Sequence, residues 1–218
     1  MDTAAVITAL YDSYDVLKPV CPQEGMDVDW VCVTDDPDLK DDSRGWRVVY
    51  EPREGVHPNR AAKIPKLFPW RYTNAPRSVW VDASFRINSP HLASEVFAHA
   101  TPMAQFVHPW RDCVYTEAVE GSLLPKYVGE DFAEQINAYR ESGHPDNWGL
   151  WATGVIAREH TNAVKTFGLV WASHIDAFTY QDQVSEPVAL RLCGLRPDPL
   201  PGTHFSNPWM TYEGSVRH

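Results

Sequence analysis

Short apolar runs separated by polar, turn-rich stretches dominate the first half of the chain. Ala4-Ala5-Val6-Ile7-Thr8-Ala9-Leu10 reads as a buried strand and ends in a polar aromatic loop, Tyr11-Asp12-Ser13-Tyr14-Asp15. A second strand is predicted over Asp29–Thr34, closing on the acidic turn signal Asp35-Asp36-Pro37. Trp46–Tyr50 predicts a third strand. Val79-Trp80-Val81 predicts a fourth, which runs straight into Asp82-Ala83-Ser84. Between them, Asn59 is placed to cap a helix over residues 60–71. Pro65 falls inside it and predicts a kink or two short helical turns.

The second half alternates in the same way. Helices are predicted over His91–His99, Glu130–Ser142, Asn162–Phe178 and residues 183–192, and strands over Met103–Val107 and Gly154–Arg158. In the helix from Glu130, Phe132, Ile136 and Tyr139 share one face. The tail, Gly194–His218, is rich in Pro, Gly and aromatics and is expected to be an irregular segment closing the site. This alternation predicts an α/β fold with a mixed, mostly parallel central sheet flanked by helices. At 218 residues the chain is expected to form one domain over residues 1–218.

Composition narrows the partners. The net charge of −10 argues against a nonspecific nucleic-acid binder. Positive charge nevertheless gathers at Arg60, Lys63, Lys66 and Arg71, which suits a small anionic ligand. Nine tryptophans supply either an aromatic core or ring-stacking surfaces for sugars or bases. No apolar run approaches the roughly 18 residues of a membrane span, and Met1-Asp2-Thr3-Ala4 does not open a secretory signal. Cys21, Cys32, Cys113 and Cys193 show neither a CxxC pair nor zinc spacing, so reduced thiols and a cytoplasmic location are expected.

Three predicted strands end in acids, Asp12, Asp35 and Asp82, at the edge where open α/β sheets bind ligands. A carboxylate at Asp82, with the Ser84 hydroxyl two residues on, can hold a divalent cation that in turn holds phosphates. The set suits a nucleotide. Asp12 and Asp35 would meet base or ribose edges, Tyr11 would stack on the base, and Arg60 and Lys63 would neutralise phosphates. Neither GxxxxGK[ST] nor GxGxxG occurs, which disfavours a P-loop kinase and a dinucleotide-dependent dehydrogenase.

The segments Val6–Asp12, Val31–Asp36, Arg60–Lys66, Ser78–Ser84, His108–Ala118, Gly149–Gly154, Gln181–Ser185 and His204–Trp209 carry a resemblance. In order and spacing the chain resembles GT-A-type glycosyltransferases. It is most similar to the glycosyltransferase-like family with the domain of unknown function DUF616, related to glycogenin-like (family 8) enzymes. The resemblance implies a nucleotide-sugar donor, usually UDP-linked, with Mn²⁺ or Mg²⁺ bridging its diphosphate. The family's Asp-x-Asp falls on Asp82-Ala83-Ser84, so Ser84 offers a neutral oxygen where a second acid is usual. His204 matches a metal-binding histidine. Asp182 would be a general base on the acceptor hydroxyl or would orient the donor sugar, and it reads equally as a helix cap. Glu117 is a second catalytic candidate. Trp148, Trp151 and Gly154 would shape the acceptor pocket, the two tryptophans reading equally as core, and His108 would be an acceptor contact or a packed loop histidine. The expectation is a metal-dependent glycosyltransferase acting on a protein, glycan or small-molecule acceptor. The competing readings are a noncatalytic nucleotide- or sugar-binding module and a metal-dependent nucleotide phosphohydrolase. The last would need more carboxylates around one metal.

Overall fold

The polar and apolar rhythm resolves into one large sheet in the computed structural model of the protein, which describes residues 2–214. The first strands are β1 (Thr3–Leu10), β2 (Asp27–Thr34) and β3 (Arg47–Tyr50). Helix α1 (Pro58–Leu67) leads to β4 (Arg77–Val81) and a short β5 (Phe85–Ile87). Then come α2 (Leu92–His99), β6 (Met103–Val107), α3 (Val114–Ser122) and α4 (Phe132–Glu141). The chain finishes through β7 (Trp151–Glu159), α5 (Asn162–Ala177), α6 (Asp182–Leu192), β8 (Asp198–Pro199) and β9 (Met210–Tyr212).

The sheet order is β3-β2-β1-β4-β7-β6-β8, with β5 and β9 forming a separate ribbon. β1 pairs in parallel with both β2 and β4. The chain thus builds outward from β1 to β3, then returns through α1 to begin the other half at β4. Such a reversal opens a crevice at the carboxyl ends of the two central strands. β7 runs antiparallel to both β4 and β6. Its start is therefore carried to the end of β4, where Gly154 O accepts the Asp82 N–H at 2.8 Å.

Burial of the strands on both faces explains their unbroken apolar runs. Val6, Ile7, Val31, Val33, Val79 and Val81 are all buried. One face packs against α1, α3, α4, α5 and α6 through Leu67, Ala118, Tyr139, Phe167, Trp171 and Val188. The other packs against α2 and the C-terminal segment through Leu92, Val96, Leu200, Trp209 and Met210.

Several local expectations are corrected. His57, not Asn59, caps α1; its side chain accepts the Asn59 N–H, and Pro58 takes the first helical turn, where its missing N–H costs nothing. Helix α1 continues through Pro65 as one ten-residue helix and stops two residues later, followed by a separate 3₁₀ turn at Pro69–Arg71. Helix α3 was not foreseen, although Val114, Tyr115, Ala118 and Gly121 have helical spacing and are buried. The predicted irregular tail contains β8 and β9, while Met1 and residues 215–218 of the predicted domain lie outside the described residues. Among the described residues no helix is long and apolar enough to cross a membrane. All four cysteines are unpaired.

Helix α5 presses on α1 at Gly168. A Cβ built there would lie 2.6 Å from Leu67 O and 2.8 Å from the Trp70 ring. The contact is with backbone, so it cannot be relieved by a rotamer change. Gly168→Ala is expected to destabilise the protein by about 1–3 kcal/mol, the usual cost of overpacking, as read by urea unfolding.

Candidate active site

A cavity of about 620 Å³ opens at the carboxyl ends of β1 and β4. Tyr11 and Asp12 follow β1 into it, and Asp82 and Ser84 follow β4. Lys63 and Lys66 enter from α1, Glu117 from α3, and Asp182 and Gln183 from the start of α6. Thr153 and Gly154 of β7 and His204 and Phe205 of the C-terminal segment complete the wall.

A chain of charges crosses its floor. Lys66 Nζ lies 2.6 Å from Asp182 Oδ2 and 3.4 Å from Asp82 Oδ1, and Lys63 Nζ lies 3.0 Å from the same Asp182 oxygen. The two lysines sit three residues apart on α1, on one side of the helix. Asp182 opens α6, where a carboxylate is favoured by the helix dipole. Its carbonyl accepts the Trp171 indole N–H at 3.1 Å, tying α6 to α5. Burial alone would raise the Asp182 carboxyl, but the two ammonium groups outweigh it and hold the carboxyl well below the usual range. Burial likewise disfavours the charge on Lys66, and Asp182 and Asp82 more than restore it.

Asp82 is fixed from two sides. Its Oδ1 accepts the Trp80 indole N–H at 2.6 Å. On the other side Gly154 leaves it room: a Cβ there would come within 3.3 Å of Oδ2 and 3.1 Å of the Phe85 ring. His204 hangs on a tight loop. Gly202 has φ +83°, and a Cβ there would collide with Ser206 O. Burial lowers the His204 pKa, and the Asp82 carboxylate opposes that shift. Nδ1 of His204 is buried without a hydrogen-bond partner. The potential donors to a cation are thus one carboxylate, one imidazole and the Ser84 hydroxyl. Among the described residues no group of three or more His, Cys, Asp or Glu is gathered as for a closed metal site. This set fits only a cation that takes its other ligands from phosphate and water, as Mg²⁺ and Mn²⁺ do.

Glu117 is buried and fully engaged. Its Oε2 accepts from Arg111 Nε at 2.5 Å, and its Oε1 from the side-chain amides of Gln181 at 3.1 Å and Gln183 at 2.8 Å. It lines the cavity, with its oxygens engaged in holding Arg111, Gln181 and Gln183. His108 stands behind Arg111 and does not line the cavity. Burial and then the Arg111 charge push its pKa down to about 4, and its Nδ1 accepts the Arg111 N–H at 3.0 Å.

Three further expected site residues are placed elsewhere. Trp151 is buried against Trp148, with Arg196 over both rings. Arg60 turns from the phosphate position: it pairs with Glu130 at 3.0 Å and donates to Ile175 O and Phe178 O at the end of α5. Asp35 braces the loop after β1 instead of facing a ligand. It accepts the Asp12 N–H at 2.9 Å and pairs with Arg53 at 2.7 Å, and Arg53 also reaches Asp12 at 2.9 Å. That brace holds Asp12 and Ser13 in left-handed conformations, φ 57° and 50°. Thr153 and Gln183 carry no chemical signal of their own in the sequence, whereas Lys66 belongs to the basic cluster that suits an anionic ligand. The signal for Lys66 was its place one helical turn beyond Lys63.

The fold is shared with nucleotide- and sugar-handling enzymes. Over 91% of this chain and 89% of the other, the structure is similar to a CMP:2-keto-3-deoxy-manno-octonic acid synthetase complexed with CTP, with a TM-score of 0.50 and 12% identity. It is also similar to the WbbM bifunctional glycosyltransferase, with a TM-score of 0.56 and 12% identity over 92% of this chain and 39% of that one. At the sequence level, the family model described as the TOD1/MUCI70 glycosyltransferase-like domain matches residues 36–196, and the chain belongs to this family, the one also known by DUF616. The match takes in Lys63, Lys66, Asp82, Glu117 and Asp182, but not Asp12 or His204. A probable hexosyltransferase MUCI70 of Arabidopsis thaliana is 30% identical over 159 residues, which is 64% of this chain and 26% of that protein. The chain thus spans about a quarter of that relative's length.

Two expectations follow from the charged floor. Asp182→Asn leaves two buried lysines to share Asp82, 3.4 Å from Lys66, and is expected to cost about 3–5 kcal/mol in urea unfolding. Glu186, one turn further along α6, is wholly buried, accepts from Gln105 at 2.8 Å and faces Lys66, Arg158 and Asp182. Burial raises its pKa to about 8. The folded state therefore holds a proton that the unfolded chain releases near pH ~4.3. Its contribution to stability is full below that value and falls as pH rises to about 8. Glu186→Gln is expected to flatten this decline, as measured by unfolding midpoints across that range.

Proposed function

We propose that the protein is a glycosyltransferase that moves a sugar from a UDP-linked donor to an acceptor hydroxyl, assisted by Mn²⁺ or Mg²⁺. The observation that carries this reading is the Lys63–Asp182–Lys66–Asp82 array at the switch point of a glycosyltransferase-like fold. Lys126 lines the cavity and supplies positive charge where a diphosphate leaving group gains negative charge, and Lys63, paired with Asp182, lines it beside Lys66. Asp12, Asp15 and Glu117 are each paired with an Arg or Lys, so they add little net field. Asp82 and His204 would hold the cation, which when bound neutralises charge on the departing diphosphate.

Asp182 is held ionised by two lysines and is therefore a weak proton acceptor. Its role in this reading is to fix the lysines. Glu117 fixes Gln183 and Gln181 in the same manner. Gln183 also accepts the Thr153 N–H at 3.4 Å, which links β7 to α6 in the cavity wall. Four free thiols support a reducing compartment.

Thermal unfolding with UDP, GDP and UDP-sugars, each with Mn²⁺, Mg²⁺ or chelator, tests the reading. A nucleotide at 100 times its Kd is expected to stabilise the protein by about 2.7 kcal/mol, and chelator is expected to reduce the shift. Asp82→Asn and Gly154→Ala are expected to weaken nucleotide binding at least tenfold while remaining folded. Absence of any nucleotide-dependent shift in the wild type would overturn the proposal.

A further inference from the structure

At the cavity mouth lies a set of rings that the chemistry above does not use. Trp110, alone of the nine tryptophans, is exposed, at 68%. It meets Phe205, 44% exposed, with ring centroids 5.5 Å apart and planes 32° apart. Phe205 in turn packs edge-on against Tyr212 at 5.2 Å, and Tyr212 against the buried Phe85 at 5.3 Å. Trp110 is steadied by His108, whose Nδ1 accepts its N–H at 3.4 Å and whose ring lies 5.7 Å away. Two chain segments distant in sequence thus build one aromatic shelf, anchored on core residues at both ends. Large rings held in place yet left open to water are a recognition surface rather than a packing residue.

We propose that Trp110 and Phe205 form a stacking subsite for a pyranose ring of the acceptor, so that the acceptor is a saccharide. This inference rests on the glycosyltransferase reading above. A pyranose presents a face of C–H groups that packs on an indole or phenyl face, while its hydroxyls turn to polar surroundings. The shelf is uncharged and borders a polar cavity, which is the complement of such a ring and not of a phosphate. Its position also separates it from the nucleobase. The Phe205 ring centroid lies 3.9 Å from that of His204, with the planes tilted by 44°, on the side assigned to the diphosphate. The base of a nucleotide sugar is separated from the transferred sugar by a ribose and two phosphates. The acceptor hydroxyl must instead lie beside the bond that breaks.

A glycan array probed with the labelled protein plus UDP and Mn²⁺ tests this, followed by calorimetric titration of the strongest saccharide. Binding to at least one class of glycan is expected. Trp110→Ala and Phe205→Ala should each weaken it about tenfold or more, Trp110→Phe should retain most of it, and both Trp110 variants should keep the wild-type thermal shift with UDP. The proposal is overturned if UDP binds and no glycan does, or if both alanine variants bind glycan as the wild type does. It is equally overturned if the Trp110 variants lose UDP binding, which would make the shelf a base platform. If UDP itself fails to bind, the glycosyltransferase reading falls first and this inference with it.

Discussion

The site depends on one buried ion pair, Lys66 with Asp182, at 2.6 Å. Lys66 is 2% exposed and Asp182 4%, so both charges have left water at a cost of several kcal/mol each. Removing either leaves the other buried with only its second partner, Asp82 for Lys66 and Lys63 for Asp182. Their pairing fixes α1 against the start of α6, and the second contact from Lys66 reaches across to Asp82 at the end of β4. Three elements separated in sequence are thereby locked around one crevice. An apolar contact of similar size would hold the helices together, but it would leave no charge at the cavity floor.

The sheet makes that pairing possible. Because β1 lies between β2 and β4, the chain must return over the sheet through α1, and this return carries Lys63 and Lys66 past the strand ends. Because β7 is antiparallel, its opening residues reach the same edge, and Gly154 gives Asp82 the room it occupies. Gly168 then lets α5 approach α1 closely. The site is a consequence of topology together with the close backbone approach at Gly168 and the tight side-chain contact at Gly154.

Much of this was legible beforehand. The buried strands read directly, because an unbroken run such as Val79-Trp80-Val81 has few alternatives, and two of the acids that end them, Asp12 and Asp82, line the cavity. Side-chain direction was not legible. Asp35 and Arg60 looked like ligand contacts from their types and positions, but each found a protein partner at closer range: Arg53 for one, Glu130 and the end of α5 for the other. Long-range pairing decides such cases, and nothing local encodes it. Helix α3 was hidden for a different reason: its apolar spacing was present, but the stretch was read as a motif instead of as a period. At Pro65 the local rule and packing meet: α1 runs through it with Ala61, Pro65 and Leu67 buried against the core, ends two residues later, and is followed by a separate 3₁₀ turn.

The central claim is that Lys66 and Asp182 act as one unit in forming the donor site. A double-mutant cycle with Lys66→Met and Asp182→Asn, read as UDP affinity in the presence of Mn²⁺, tests it most directly. The account predicts strong non-additivity, with a coupling energy in the range of about 0.5–3 kcal/mol and the double variant no worse than the poorer single. Effects that add within about 0.5 kcal/mol would contradict it and would reduce the pair to two independent contacts.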